Sequence, residues 1–148
     1  MSDPGIRRID RLPGGVAALA ERVPDGSIDE CLGLLMATVV DLTGIGGSPA
    51  VREALEQWRT RRTVTAGTRS AIEAVLIARD VDGAVAHRAG DIDTQRAHFR
   101  AARAVACLVW VTDPNTDARQ RFREAVYEAA SAIGATAGVV AILADFVP

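Results

Sequence analysis

Lysine is absent from this chain of 148 residues, and all 17 basic side chains are arginine. No side-chain amine is available for a Schiff base to pyridoxal phosphate or a carbonyl substrate. There is likewise no Walker A lysine and no attachment point for biotin or lipoate. Arginine keeps its proton in proteins, so none of these cations serves as a tunable base. Other reactive groups are scarce: His87 and His98, Cys31 and Cys107, and Tyr127. Aromatic residues make up 4% of the chain, so the core has to be assembled from alanine and aliphatic side chains. That mix favours helices packed closely through small residues. No segment sustains the two-residue alternation of a half-buried strand.

Charge of one sign is also lacking. A net charge of −2 gives no global pull toward nucleic acid or anionic membranes. Long apolar runs are missing too. The longest uncharged stretch, Ala129 to Ala144, is sixteen residues, short of the roughly 20 a spanning helix needs, and a buried helix is expected there. Met1–Gly5 leads into charges with no apolar signal core behind it, so no secretory signal is expected. The two cysteines have no C-x-x-C spacing and fit reduced, inert thiols in a cytoplasmic protein. Arginine in place of every lysine, with abundant alanine, is the usage of a GC-rich, bacterial coding sequence. It warns against assigning a role to each arginine.

What is present reads as one all-α domain. Residues 1–26 are punctuated by Pro4, Gly5, Pro13, Gly14, Gly15, Pro24 and Gly26, with room for one short helix, Val16 to Arg22. Residues 27–148 form the bundle. Ser27 and Glu30 make a capping box before Cys31 to Val40, apolar on every face except Thr38 and therefore expected to be surrounded by the fold. Gly44 ends that helix, and the loop Gly44 to Ser48 reads as a C-cap and turn. Ser48 and Pro49 open an amphipathic helix to about Arg59. Ser70 and Glu73 make a second capping box before a helix reaching His87–Arg88. Gly90 stops it, and Asp91 or Asp93 caps the next, which runs to about Val111. Asp113 and Pro114 open a last segment toward Phe146, bent or broken near Gly134 and Gly138. The expectation is a compact bundle of five to six helices, mostly antiparallel neighbours with short connections.

Four clusters are candidate sites. His87 and His98 flank the Gly90 turn near Asp91 and Asp93, but the residues three before them are Ala84 and Gln95. The Glu-x-x-His pattern of di-iron bundles is therefore absent, and structural histidines rather than metal ligands are expected. Arg96, Arg100 and Arg103 form a basic ridge at i, i+4 and i+7. It either binds an acidic partner or pairs with Asp117, Glu124 and Glu128 on the final helix. Arg52, Trp58, Arg59, Arg61 and Arg62 form a second basic patch, yet the following helix is too apolar to read a major groove, so nucleic-acid binding is not expected. Gly134 and Gly138, with Ala130, Ala137 and Ala141, make a small-residue strip suited to an internal crossing or a dimer seam. Asp41 opposes the dipole at its helix C-terminus and is expected to pair with an arginine or to bind a ligand.

Leu12 to Leu19 resembles the proline–glycine opening of cyclodeaminase-type helical proteins over eight residues. The Ala/Arg-rich stretch from Ala71 to Trp110 resembles small helical immunity proteins of bacterial toxin systems. Both likenesses are compositional and assign no family. With no nucleophile–base pair, metal set or cofactor loop in view, the function expected is protein–protein association, either self-assembly as a homodimer or adaptor-like binding. The alternative is a small-molecule-binding protein or non-metal enzyme with a pocket between helices, using Asp41, Arg79, His87, His98 or Tyr127.

Overall fold

The computed structural model describes residues 7–148; the Met1–Gly5 start, with Pro4 and Gly5, lies outside the described residues. Seven α-helices form: α1 (Val16–Glu21), α2 (Ile28–Thr43), α3 (Pro49–Arg61), α4 (Ala66–Arg88), α5 (Ile92–Val111), α6 (Ala118–Ile133) and α7 (Ala137–Ala144). Short 3-10 turns at Arg8–Arg11, Asp25–Ser27 and Ile45–Gly47 complete the described chain, which has no strand. The count exceeds the expected five to six because the last segment is divided. Gly134 takes φ +85° and its amide bonds Ala130 O at 2.9 Å, closing α6 before α7 begins.

The helix starts differ from the sequence reading in an instructive way. Asp91 caps α5, its Oδ1 accepting from the Thr94 amide at 3.2 Å. Ser27 stands at the start of α2 without a side-chain cap. Ser70 lies inside α4, because Thr65 caps that helix five residues earlier by accepting from the Thr68 amide. Asp113 does not open α6. Its carboxylate accepts from the Asn115 amide and the Thr116 hydroxyl, forming a turn, and Asp117 provides the cap. Ser70 and Asp113 each had a competitor a few residues away, and the chain path chose between them.

The core is aliphatic and continuous. Cys31, Leu35, Met36 and Val39 of α2 meet Val51 and Trp58 of α3, Val105 and Leu108 of α5, and Phe122 and Val126 of α6. Residues 7–26 join the same core through Ile9, Val16, Ala20 and Val23. Contrary to expectation, α2 is not enclosed: Leu34 and Leu42 are exposed with Asp41 along its outer side. No described helix is long and apolar enough to cross a membrane.

One part of the molecule escapes the core. Arg69 reaches Val109 and Arg79 reaches His98, so α4 and α5 run in opposite directions as a hairpin. Arg100 and Arg103 meet Ala132 and Glu128 in the same antiparallel sense on α6. The hairpin continues past the end of α6, and among residues 77–100 only Ala86 is buried.

The left-handed Gly134 gives a direct check. Gly134→Ala forces a Cβ into that conformation and is expected to destabilise the fold by about 1 kcal/mol. Gly26→Ala, outside the left-handed region and with open space around it, is expected to stay within about 0.5 kcal/mol of wild type. Urea denaturation of the two variants measures the difference.

Candidate functional site

Along the outer side of α4, Ile77, Val81 and Val85 follow at i, i+4 and i+8, so helical spacing aligns them in one row. They are 63%, 55% and 56% exposed. Ala74, Ala78 and Ala84, all exposed, fill the same face. A charge marks each end: Glu73, in an ion pair with Arg69 at 3.2 Å, and Arg88, exposed on the last turn. Beside the row lies a shallow groove of about 270 Å³ between α4 and α5, lined by Arg79, Asp80, His87, Gln95 and the half-exposed Phe99.

The residues singled out from the sequence scatter around this hairpin. His87 Nδ1 lies 3.2 Å from Gln95 Oε1, and His98 Nδ1 lies 3.2 Å from Arg79 Nη1. The histidines thus have separate partners, and no described group of three His, Cys, Asp or Glu is placed to hold a metal ion. The arginine ridge splits into three roles. Arg100 donates to the carbonyls of Ala132 and Ile133 and so caps the C-terminus of α6. Arg103 pairs with Glu128 at 3.1 Å, and Arg96 is exposed on the part of α5 that α6 does not reach. Of the acids expected opposite, Glu124 is taken by Arg8 and Asp117 by its cap. Asp41 makes no ion pair or side-chain hydrogen bond with a described residue and faces solvent, which corrects the pairing expected for it. The small-residue strip is also broken. Ala130 is buried on α6, Gly134 turns the chain beside the Arg100 guanidinium, and Gly138 and Ala141 lie exposed on α7. Both thiols are free and buried, with burial pushing Cys31 up to about 12 and Cys107 higher still, Glu128 adding to the latter.

The ionic centre of the molecule joins the Arg103–Glu128 pair, one of the pairings expected from the sequence, to residues that the sequence reading left out. The Glu128 carboxylate, 2% exposed, is ion-paired with Arg8 at 3.0 Å and accepts from Arg103 at 3.1 Å. Arg8 also pairs with Glu124 and lies over the Tyr127 ring, 4.4 Å from its centroid. Arg103 reaches on to Asp80 at 3.5 Å. Nearby, Arg123 holds Glu21 at 2.7 Å and Arg119 holds Asp25 at 2.6 Å, so α6 grips the N-terminal segment at several points. Arg119, Arg123 and Glu124 all find their partners roughly a hundred residues away, in the N-terminal segment, whereas Arg103 lies only 25 residues from Glu128.

At the opposite end of the hairpin from Gly90, helix ends surround a cavity of about 410 Å³. Its apolar floor is Ile28, Leu32, Trp58 and Val111, with Arg62, Arg121, Asp29 and Asp113 around it. The indole packs against Gly33, where an added Cβ would sit in ordinary contact with the ring at 3.4 Å. Asp113 is held below the usual carboxylate range, first by the Thr116 hydroxyl and then by the Asn115 amide. Asp91 is held down in the same way by Thr94.

Two outcomes follow from these ion pairs and turns. Glu128→Gln leaves Arg103 and part of Arg8 without their carboxylate and is expected to cost about 3 kcal/mol, with faster amide exchange through residues 7–25. Because Asp113 and Asp91 have depressed folded values, their stabilisation is present above the ordinary carboxylate range and disappears as pH falls through the folded values. Stability is therefore expected to drop from about pH 5 toward pH 2, and less steeply in Asp113→Asn; chemical denaturation across that range reads the slope. No family model, curated protein or solved structure matches the chain.

Proposed function

We propose that this protein acts by protein–protein association through the projecting α4–α5 hairpin, and that its partner is a second copy of the chain. The observation that carries the reading is the row Ile77, Val81 and Val85, more than half exposed on a helix that packs against α5 and α3 but leaves this face uncovered. Apolar side chains repeated on one exposed helix face mark a contact surface.

The pattern is complementary to itself. Two α4 helices placed antiparallel about a two-fold axis near Val81 set Ile77 of each copy by Val85 of the other. The same arrangement brings Glu73 level with the partner's His87 and the partner's Arg88, twice over by symmetry. Ala74, Ala78 and Ala84 keep the helices close, and the charge of Asp80 near the axis is offset by Arg103 of its own chain. The hairpins then complete a four-helix arrangement in which most neighbours run antiparallel, as α4, α5 and α6 do within one chain. The homodimer replaces the Gly134–Gly138 seam as the association surface. A cytoplasmic setting suits the free, buried thiols.

Sedimentation over a range of concentrations tests the reading. Wild type is expected to dimerise, and Val81→Asp, which puts two aspartates face to face, to weaken the dimer at least about 100-fold while leaving monomer helicity unchanged. Glu73→Arg is expected to weaken it, and Glu73→Arg with Arg88→Glu to restore it. A wild type that stays monomeric at roughly 100 µM, where a dimer of micromolar Kd is mostly assembled, overturns the proposal. So does a Val81→Asp protein that dimerises unchanged.

A further inference from the structure

Arg62 is the one non-glycine described residue with positive φ, at +58°. It follows the last turn of α3, its amide bonding Trp58 O at 2.8 Å. Glycine or asparagine ordinarily fills such a position, because a Cβ crowds the neighbouring carbonyl there. A long cation in this place is a strained choice, and strain of this kind points to what the side chain does. The backbone conformation brings the guanidinium over the Trp58 ring, 4.4 Å from the centroid, at the cavity described above. It has no carboxylate partner and no side-chain hydrogen bond among the described residues.

Arg121 lines the same cavity from α6. Its Nη1 donates to the carbonyls of Asp113 and Thr116, and its Nε and Nη2 have no acceptor among the described residues. Neither arginine belongs to the ion network around Glu128. Of the two acids at the cavity, Asp113 is occupied by Asn115, Thr116 and, at 4.0 Å, Arg69; Asp29 is exposed at the start of α2. The volume falls within the range of small-molecule sites, and such sites combine apolar walls with a few placed polar groups.

We infer that this cavity binds a small organic anion, its carboxylate or phosphate head between Arg62 and Arg121 and its apolar body toward Ile28, Leu32, Val64 and Val111. Arginine supplies paired donors to a planar or tetrahedral anion, and the indole beneath Arg62 holds that guanidinium in place by a cation–π contact. The site is independent of the α4 ridge and does not require the dimer.

Calorimetric titration of the full chain distinguishes the parts. The probes are 3-phenylpropionate, phenyl phosphate, the neutral 3-phenylpropan-1-ol and inorganic phosphate, all at matched ionic strength. One or both aromatic anions are expected to give saturable binding and to raise the melting temperature, identifying the head group preferred; the alcohol and inorganic phosphate are expected to do neither. Arg62→Gly is expected to weaken binding at least about tenfold, the loss of one charged hydrogen bond. Its melting temperature is expected to be unchanged or raised, since glycine accepts the left-handed conformation. Arg121→Ala is expected to weaken binding similarly, and Arg96→Ala to leave it intact. Equal binding of the alcohol removes the cations from the account, and equal binding of inorganic phosphate removes the apolar floor. No saturable binding by either aromatic anion, or wild-type affinity in Arg62→Gly, overturns the inference.

Discussion

A single buried carboxylate organises this molecule. Glu128 sits on α6 at 2% exposure and is shared by Arg8 from the N-terminal segment and Arg103 from α5. A buried anion is costly unless it is paired and hydrogen-bonded, so its presence obliges two distant segments to stay in register with α6. Arg103 extends the chain of charges to Asp80 on α4, and Arg8 extends it to Glu124 and Tyr127. Aliphatic contacts between alanine-rich helices are non-directional and tolerate sliding. The ion network is directional, and it sets where the N-terminal segment lies and how α5 sits along α6.

That registration explains why the hairpin projects. With Arg103 at Glu128 and Arg100 at the last carbonyls of α6, the first two turns of α5 have no part of α6 beside them. The matching stretch of α4 is left in the same position, with an apolar outer face and no element to cover it. The cavity lies at the other end of α4 and α5, where Val111 and Thr112 meet the ends of α2, α3 and α6. Association and ligand binding are thus assigned to opposite ends of one helix pair about 35 Å long. A contact at the Val81 row leaves the Trp58 cavity open to solvent.

Much of the architecture was legible in the chain. Glycines that tolerate positive φ ended helices at Gly44, Gly90 and Gly134, and Pro49 took the first position of α3. Helix existence followed from composition and spacing. Helix starts were harder, because Ser70 and Asp113 carry the same cap chemistry as Thr65 and Asp117, and selection among them depends on where the preceding helix delivers the chain. Burial of α2 was overestimated since apolar content does not say which side has a neighbour: Leu34 and Leu42 are as apolar as Leu35 but face outward.

The candidate sites show the same division. The Ile77, Val81, Val85 spacing is written in the chain, yet it reads as core until the register of α5 on α6 leaves it uncovered. Arg96, Arg100 and Arg103 share a helix face by sequence, but the end of α6 falls between them and gives each a different environment. Arg62 looked like one member of a basic patch, and only the path of the chain after α3 put it over Trp58. By itself, the sequence determined that the chain is helical, where most helices stop, and which chemistries its missing lysine forbids, because these are local properties of residues and their neighbours. The tertiary structure alone decided which arginines are consumed in ion pairs, which apolar face has no cover and where a cavity forms, because each depends on partners brought together from distant parts of the chain.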